Sequence, residues 1–146
     1  MRTMNQTTYS EISFPKQVNI KPKILVVEDG LINQKVAKLM LEQLGYQADI
    51  AENGTKALAM YQDDYQAILM DVGLPDISGI EVCARIRSQE WNAHIPIIAL
   101  TAEGDSIKDK CLSSGMDEFA TKPIMIDALK IILNKIIEED NEKQIY

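Results

Sequence analysis

Residues suited to phosphate and cation chemistry stand at the ends of four apolar runs. Ile24-Leu25-Val26-Val27 leads into Glu28-Asp29, and Ala67-Ile68-Leu69-Met70 leads into Asp71. Ile97-Ile98-Ala99-Leu100 leads into Thr101, and Phe119-Ala120-Thr121 leads into Lys122-Pro123. In a parallel α/β sheet the carboxyl ends of the strands share one edge, and ligands bind in the crevice there. Three carboxylates, a hydroxyl and an ammonium would then converge on one pocket, a set able to hold a divalent cation and a phosphoryl group together. Clustered carboxylates repel and raise one another's pKa unless a cation lies among them. Hard oxygen donors with room for water favour Mg²⁺, which usually takes one or two protein carboxylates. No His or Cys adjoins these strand ends, which disfavours zinc. Each residue alone has a plainer reading: acids at a helix N-terminus, Thr101 as an N-cap, Lys122 on the surface. Their joint occurrence at successive strand ends favours a site. Thr101 and Lys122 have no neighbouring His base, so a nucleophilic triad is not supported.

The elements that must position these residues alternate. The first and third expected strands, Ile24–Val27 and Ala67–Met70, are continuously apolar, as strands covered on both faces should be. Between them, Asn33, Val36, Ala37, Met40, Leu41 and Leu44 recur at helical spacing, and Gly45 follows as a C-cap. Gln47–Ala51 alternates like an edge strand, and Asn53-Gly54 opens a short helix. Leu74-Pro75-Asp76-Ile77-Ser78-Gly79 is turn-forming and leads into a helix presenting Val82, Cys83 and Ile86. Pro96 belongs at the start of the fourth strand, where a missing N–H is tolerated. Asp105 to Ser114 reads as a weak helix with few apolar anchors, and Gly115 ends it. The last helix presents Ile126, Leu129, Leu133 and Ile136 and frays after Ile137. The spacing predicts (βα)5, a doubly wound, flavodoxin-like parallel sheet of order 2-1-3-4-5. Its switch point lies beside the first and third strands, which carry Glu28, Asp29 and Asp71.

The chain has 146 residues, 46% hydrophobic and 25% charged, enough for one domain with a core. Residues 1–22 read as a disordered tail or linker, 23–139 as the folded domain, and 140–146 as a polar tail. A net charge of −7 argues against a nucleic-acid-binding face. No apolar run is long enough for a membrane span, and the N-terminus lacks the apolar core of a secretory signal. Cys83 and Cys111 form no CxxC pair and read as reduced core residues of a cytoplasmic protein. His94 reads as a solvent-exposed loop residue without a role.

The text Ile24-Leu25-Val26-Val27-Glu28-Asp29, Leu69-Met70-Asp71-Val72, Leu74-Pro75, Gly79, Ala99-Leu100-Thr101-Ala102, Gly115-Met116-Asp117 and Lys122-Pro123 resembles the receiver domain of bacterial two-component response regulators. The resemblance spans Lys23 to about Glu139. It implies that Asp71 accepts a phosphoryl group from a phosphohistidine on a histidine kinase or histidine phosphotransfer protein. It also implies that Glu28, Asp29, Asp71 and the backbone carbonyl of Gly73 hold Mg²⁺. Lys122 would pair with the phosphoryl oxygens. Thr101, with Ala102 beside it, would meet the bound phosphate, and Phe119 would occupy an aromatic switch position. The Lys122–Pro123 bond is expected to be cis. Ile32-Asn33-Gln34-Lys35-Val36 and Gly115-Met116-Asp117-Glu118 look like receivers attached to hybrid histidine kinases, although many of those carry Asn where this chain has Gly30.

On this reading the isolated chain does no chemistry beyond accepting and losing its own phosphate. A dimer through the fourth helix, fifth strand and fifth helix is a further expectation. No DNA-binding output domain is expected, since the chain ends soon after the fifth helix. Two other classes share parts of the pattern. A flavodoxin-like cofactor binder has the same topology, but acids stand here where a phosphate-cradling loop would be. A Mg²⁺-dependent phosphoaspartate phosphatase usually places a second catalytic Asp two residues past the first, where this chain has Gly73.

Overall fold

The computed structural model describes residues 20–62, 64–89 and 94–145. The tail expected over residues 1–22 lies outside the described residues as far as residue 19. The strands are β1 (Lys23–Val27), β2 (Gln47–Ala51), β3 (Tyr65–Asp71), β4 (Ile97–Thr101) and β5 (Glu118–Thr121). The α-helices are α1 (Leu31–Gln43), α2 (Gly54–Met60), α3 (Gly79–Gln89), α4 (Lys108–Ser113) and α5 (Ile126–Ile145). The five strands form one parallel sheet in the order β2-β1-β3-β4-β5, the order expected from the spacing.

Strand parity divides the core into two layers, because successive side chains point to opposite faces. Leu25, Val27, Ile68, Met70, Ile97 and Ala99 pack with Ala57 of α2, Val82, Cys83 and Ile86 of α3, and Cys111 of α4. Ile24, Val26, Ala67, Leu69, Ile98 and Leu100 pack with Ala37 and Leu41 of α1 and with Leu129, Leu133 and Ile136 of α5. Both faces of the central strands are therefore covered, which is why those strands read as unbroken apolar runs.

Three local readings are corrected. In α1 only Ala37 and Leu41 are buried; Leu31, Ile32, Val36 and Leu39 are exposed. Val36 thus lies off the core stripe on which its spacing placed it. The weak helix over Asp105 to Ser114 is divided into a 3₁₀ turn at Gly104–Ile107 and the short α4. Cys111 is its one buried residue, too little apolar surface to hold a longer regular helix. Finally, α5 does not fray after Ile137 but runs to Ile145, through the segment read as a polar tail. That stretch has no Gly or Pro and holds several Glu, Lys and Gln, which are good helix formers.

His94 also has a partner that its loop position did not reveal. Its Nε2 lies 2.7 Å from Asp117 Oδ1, while Asp117 Oδ2 accepts from Arg87 Nη2 and from the Ile97 N–H, both at 2.8 Å. Arg87 donates further to the carbonyls of Gly115 (2.9 Å) and Ile95 (2.7 Å). This clamp sits at the amino end of the sheet and fixes the entries to β4 and β5 against the end of α3. Among the described residues, no helix is long and apolar enough to cross a membrane.

Candidate functional site

Register and parity explain which strand-end residues meet. Val27 pairs with Met70 and Asp71 with Leu100, so Glu28, one residue past β1, comes level with Asp71. Glu28, Asp71 and Lys122 share the parity of Val26, Leu69 and Ala120, so all three emerge on the α1/α5 side of the sheet edge. Lys122 Nζ is 2.8 Å from Glu28 Oε1 and 3.0 Å from Asp71 Oδ2. Each carboxylate holds a backbone donor with its other oxygen: Gly30 N–H to Glu28 Oε2 at 2.9 Å, and Gly73 N–H to Asp71 Oδ1 at 3.0 Å. Glu28 and Asp71 are only 4% and 5% exposed, whereas Asp29 is open to solvent.

The three acids offer oxygens that all lie within 4.8 Å of one another, the one such group of three or more potential metal ligands among the described residues. Burial, foremost, pushes the Asp71 carboxyl above the usual carboxylate range. The Lys122 and Gly73 hydrogen bonds oppose the shift, and the Glu28 charge adds to it. Burial works against the Lys122 ammonium, but its bonds to Glu28 and Asp71 outweigh that, and its pKa stands above the ordinary lysine value. One ammonium faces three carboxylates, so the crevice keeps an excess of negative charge. A hard divalent cation fits that deficit and that all-oxygen donor set.

Thr101 and Phe119 have the opposite parity. Thr101 is buried, and its Oγ1 accepts the Glu103 N–H at 3.0 Å. Phe119 pairs with Ala99 across the ladder and packs, half-buried, against the α2/α3 layer, on the face where Thr101 ends β4. Ala102 is exposed beside them. The Lys122–Pro123 peptide is cis. The Lys122 N–H donates to the Thr101 carbonyl at 2.8 Å, tying the ammonium-bearing loop to the end of β4.

Gly79 stands in the turn and in the family resemblance, but what it packs against, and a cavity beside the site, were not read from the sequence. A Cβ built on Gly79 would lie 2.3 Å from the Asp71 carbonyl and 2.9 Å from the Val72 Cα. Backbone packs directly on backbone here, so only glycine fits behind Asp71. Glu28 and Lys122 also border an apolar cavity of about 250 Å³ under α1, lined by Val36, Ala37, Met40 and Ile124 among others. Asp29 and Asp71 do not line it, so it is distinct from the acidic crevice.

Residues 24–134 match the family described as the response regulator receiver domain. Among characterised relatives, hybrid signal transduction histidine kinase I of Dictyostelium discoideum is 40% identical over 151 residues, covering 93% of this chain and 9% of that protein. Histidine kinase 5 of Arabidopsis thaliana is 37% identical, covering 80% of this chain and 16% of that protein. The chain therefore spans a small part of the relatives it matches. Among solved structures, the receiver domain of sensor histidine kinase PA1611 from Pseudomonas aeruginosa superposes with a TM-score of 0.75 at 38% identity, covering 82% of this chain and 99% of that one. That structure is described as holding a magnesium ion in its active-site cleft.

Proposed function

The chain belongs to the response regulator receiver domain family, and from that premise we propose that Asp71 is its phosphoacceptor, served by Mg²⁺ and by a phosphohistidine donor. Membership makes the chain a phosphoacceptor receiver domain with an acidic cluster suited to Mg²⁺ and phosphoaspartate chemistry, most similar to the receivers of hybrid histidine kinases. The observation that carries the finer reading is the Glu28–Lys122–Asp71 bridge beside Asp29.

In the transfer, an Asp71 carboxylate oxygen forms a bond to phosphorus as the phosphorus–nitrogen bond of the donor breaks. The leaving imidazole keeps the electron pair. Little covalent work is asked of the protein, so catalysis is positioning plus neutralisation of charge. Glu28, Asp29, Asp71 and the Gly73 carbonyl would hold the Mg²⁺, whose positive charge would offset the negative charge of the phosphoryl oxygens. Gly73 N–H and Lys122 Nζ orient the Asp71 carboxylate before transfer, and Lys122 moves to the phosphoryl oxygens after it. Thr101 then acquires a new hydrogen-bond acceptor, and Phe119, which needs no polar partner, turns into the space the hydroxyl leaves. The face of α4, β5 and α5, where Ile131 is 69% exposed, carries the response. The exposed apolar residues of α1 beside the crevice give the phosphodonor a surface to seat on. The donor is a histidine kinase or histidine phosphotransfer protein.

Asp71→Asn tests the assignment, because the amide keeps the shape and loses the nucleophile. With acetyl phosphate and Mg²⁺, wild type should gain one phosphoryl group by intact mass and the variant none. Phosphate on the folded variant, or equal labelling of wild type in excess EDTA, would refute it.

A further inference from the structure

The loop between β3 and α3 carries Gly73 and must hold still beside Asp71. At its base, Val72 N–H donates to the Leu100 carbonyl of β4 at 3.0 Å, and Gly79 N–H to the Val72 carbonyl at 2.9 Å. At its tip, Asp76 reaches across to a different loop. One carboxylate oxygen accepts the Gly54 N–H at 2.9 Å. The other accepts the Thr55 N–H at 2.9 Å and the Thr55 hydroxyl at 2.6 Å. Gly54 and Thr55 open α2, whose next amide, Lys56 N–H, donates to Asn53 Oδ1 at 2.8 Å. The otherwise orphaned donors of that helix start are thus divided between its own N-cap and a residue more than twenty positions away.

The partner loop leads back to the acidic crevice. It follows β2, and the last residue of β2, Ala51, accepts the Glu28 N–H through its carbonyl at 3.0 Å. Packing reinforces the same junction: a Cβ on Gly54 would fall 2.7 Å from Ile77 Cγ1 and 2.8 Å from Val82 Cγ2. A ring of contacts therefore closes, from Glu28 through the β2–α2 turn to Asp76, and from Asp76 along its loop to Gly73 and Asp71. The donors around Asp76, the Thr55 hydroxyl foremost, hold its carboxyl below the usual carboxylate range, which favours the ionised form that accepts these bonds.

We propose that Asp76 is a positioning residue for phosphoryl acceptance, clamping the Gly73 loop to the start of α2 so that the two loops supplying cation ligands keep a fixed spacing. This rests on the reading of Asp71, Glu28, Asp29 and Gly73 given above. Preorganised ligands hold a cation more tightly than mobile ones, and losing a partner that orients a ligand typically weakens metal binding by about 10–100-fold. Asp76 acts one step further out, so Asp76→Ala is expected to weaken Mg²⁺ binding about five- to tenfold. Thr55→Val, which removes one of the three bonds, should weaken it about two- to threefold.

The test measures Mg²⁺ affinity by calorimetry and amide exchange in the metal-free protein, together with phosphorylation by acetyl phosphate across a range of Mg²⁺. Asp76→Ala should speed exchange of the Gly73 amide while leaving Ile24 to Val27 protected. It should slow phosphorylation at limiting Mg²⁺ and recover to within about twofold of wild type at saturation, because a positioning defect that costs cation affinity is repaired by mass action. Ile136→Ala, a core truncation in α5 three turns from the site edge, controls for lost stability and should lower the melting temperature without changing Mg²⁺ affinity. If Asp76→Ala lowers the melting temperature but leaves Mg²⁺ affinity and Gly73 exchange at wild-type values, Asp76 is only a structural cap and the inference fails. Should Asp76→Ala not fold, Thr55→Val decides by the same two readouts. If wild type itself binds no Mg²⁺, the reading of the site fails and takes this inference with it; if wild type binds and is phosphorylated while both variants match it, only the role of Asp76 falls.

Discussion

Replacing Lys122 with Ala should move cation binding and phosphoryl acceptance in opposite directions. The ammonium lies 2.8 Å from Glu28 and 3.0 Å from Asp71, in a crevice where both acids are nearly sequestered from water. At about 3 Å and an effective dielectric near 20, each contact has a gross attraction of ~5 kcal/mol, most of it offset by desolvation. What remains is the worth of a charge-assisted hydrogen bond, ~1.5–3 kcal/mol. Before phosphorylation this attraction competes with a divalent cation for the same carboxylates. Lys122→Ala should therefore tighten Mg²⁺ binding about three- to tenfold, equivalent to ~1 kcal/mol of relieved competition. On the proposed transfer the ammonium would be needed at the phosphoryl oxygens. Losing it should slow acceptance from acetyl phosphate at saturating Mg²⁺ by about one to two orders of magnitude. Calorimetry gives the first quantity and the mass-resolved rate of phosphorylation the second. A variant whose rate returned to wild type simply on adding Mg²⁺ would show that Lys122 only shapes the cation site. A variant unchanged in rate, affinity and conformational response would make it an ordinary surface lysine.

Gly79→Ala should destabilise the domain by ~3 kcal/mol, the upper end for overpacking, since its Cβ meets backbone that cannot rotate away; urea unfolding measures this, and a loss under ~1 kcal/mol would mean that α3 shifts freely. Tyr65→Phe removes the bond from the Tyr65 hydroxyl to Asp49 Oδ2 at 2.8 Å and should cost about 1 kcal/mol at pH 8. Burial, then the hydrogen bond and charge of Asp49, then Asp64, hold the Tyr65 pKa above the ordinary 10.0. The raised value means that the stabilisation is complete below the unfolded-state pKa and is lost as pH rises through the folded one. The gap between wild type and variant should therefore narrow above about pH 10, and a constant gap in urea melts would count against the assignment. Binding of beryllofluoride with Mg²⁺ should alter amide exchange from Asp105 to Thr121 more than from Ile32 to Leu44, because Thr101 and Phe119 face the α2/α3 layer rather than α1. Changes confined to α1 would defeat that route.

The sheet and its reactive edge were legible because both are written locally. An unbroken apolar run such as Ala67 to Met70 states that its strand is covered on both faces, and the polar residue that ends it lands at the sheet edge wherever the strand lies. Three such runs, with the shorter and half-buried Phe119-Ala120 of β5, sufficed to bring Glu28, Asp71, Thr101 and Lys122 to one edge. Periodicity alone misjudged α1: Val36 fits a helical apolar stripe, yet the stripe that meets the sheet is the narrower one of Ala37 and Leu41. The length of α5 was underestimated for a related reason. Its polar last turns contribute no core pattern, and it is their intrinsic propensity that continues the helix.

The polar contacts of Asp76 and Asp117 escaped sequence reading for one reason: each joins segments distant in the chain through a single carboxylate. Asp76 sits in a turn whose composition, Pro75 beside Asp76 and Ser78, already explains an acid there, and nothing in that composition points toward Thr55. Asp117 follows Met116 in a loop, with Arg87 and His94 far back in the chain; only the fold reveals that one carboxylate satisfies two side chains and the Ile97 amide. Apolar pattern specifies layers, because burial is non-directional and repeats along an element. It cannot specify which loop a carboxylate reaches, because that depends on register across the sheet and on a handful of amides left unpaired at helix and strand ends. The two clamps stand at opposite ends of the sheet, with Asp76 at the reactive edge and Asp117 at the other. Between them they fix the β3–α3 loop beside Asp71 and the entry to β5, the strand that carries Phe119. The apolar core thus supplies the frame, while these two carboxylates tie the loops at either end of the sheet to one another.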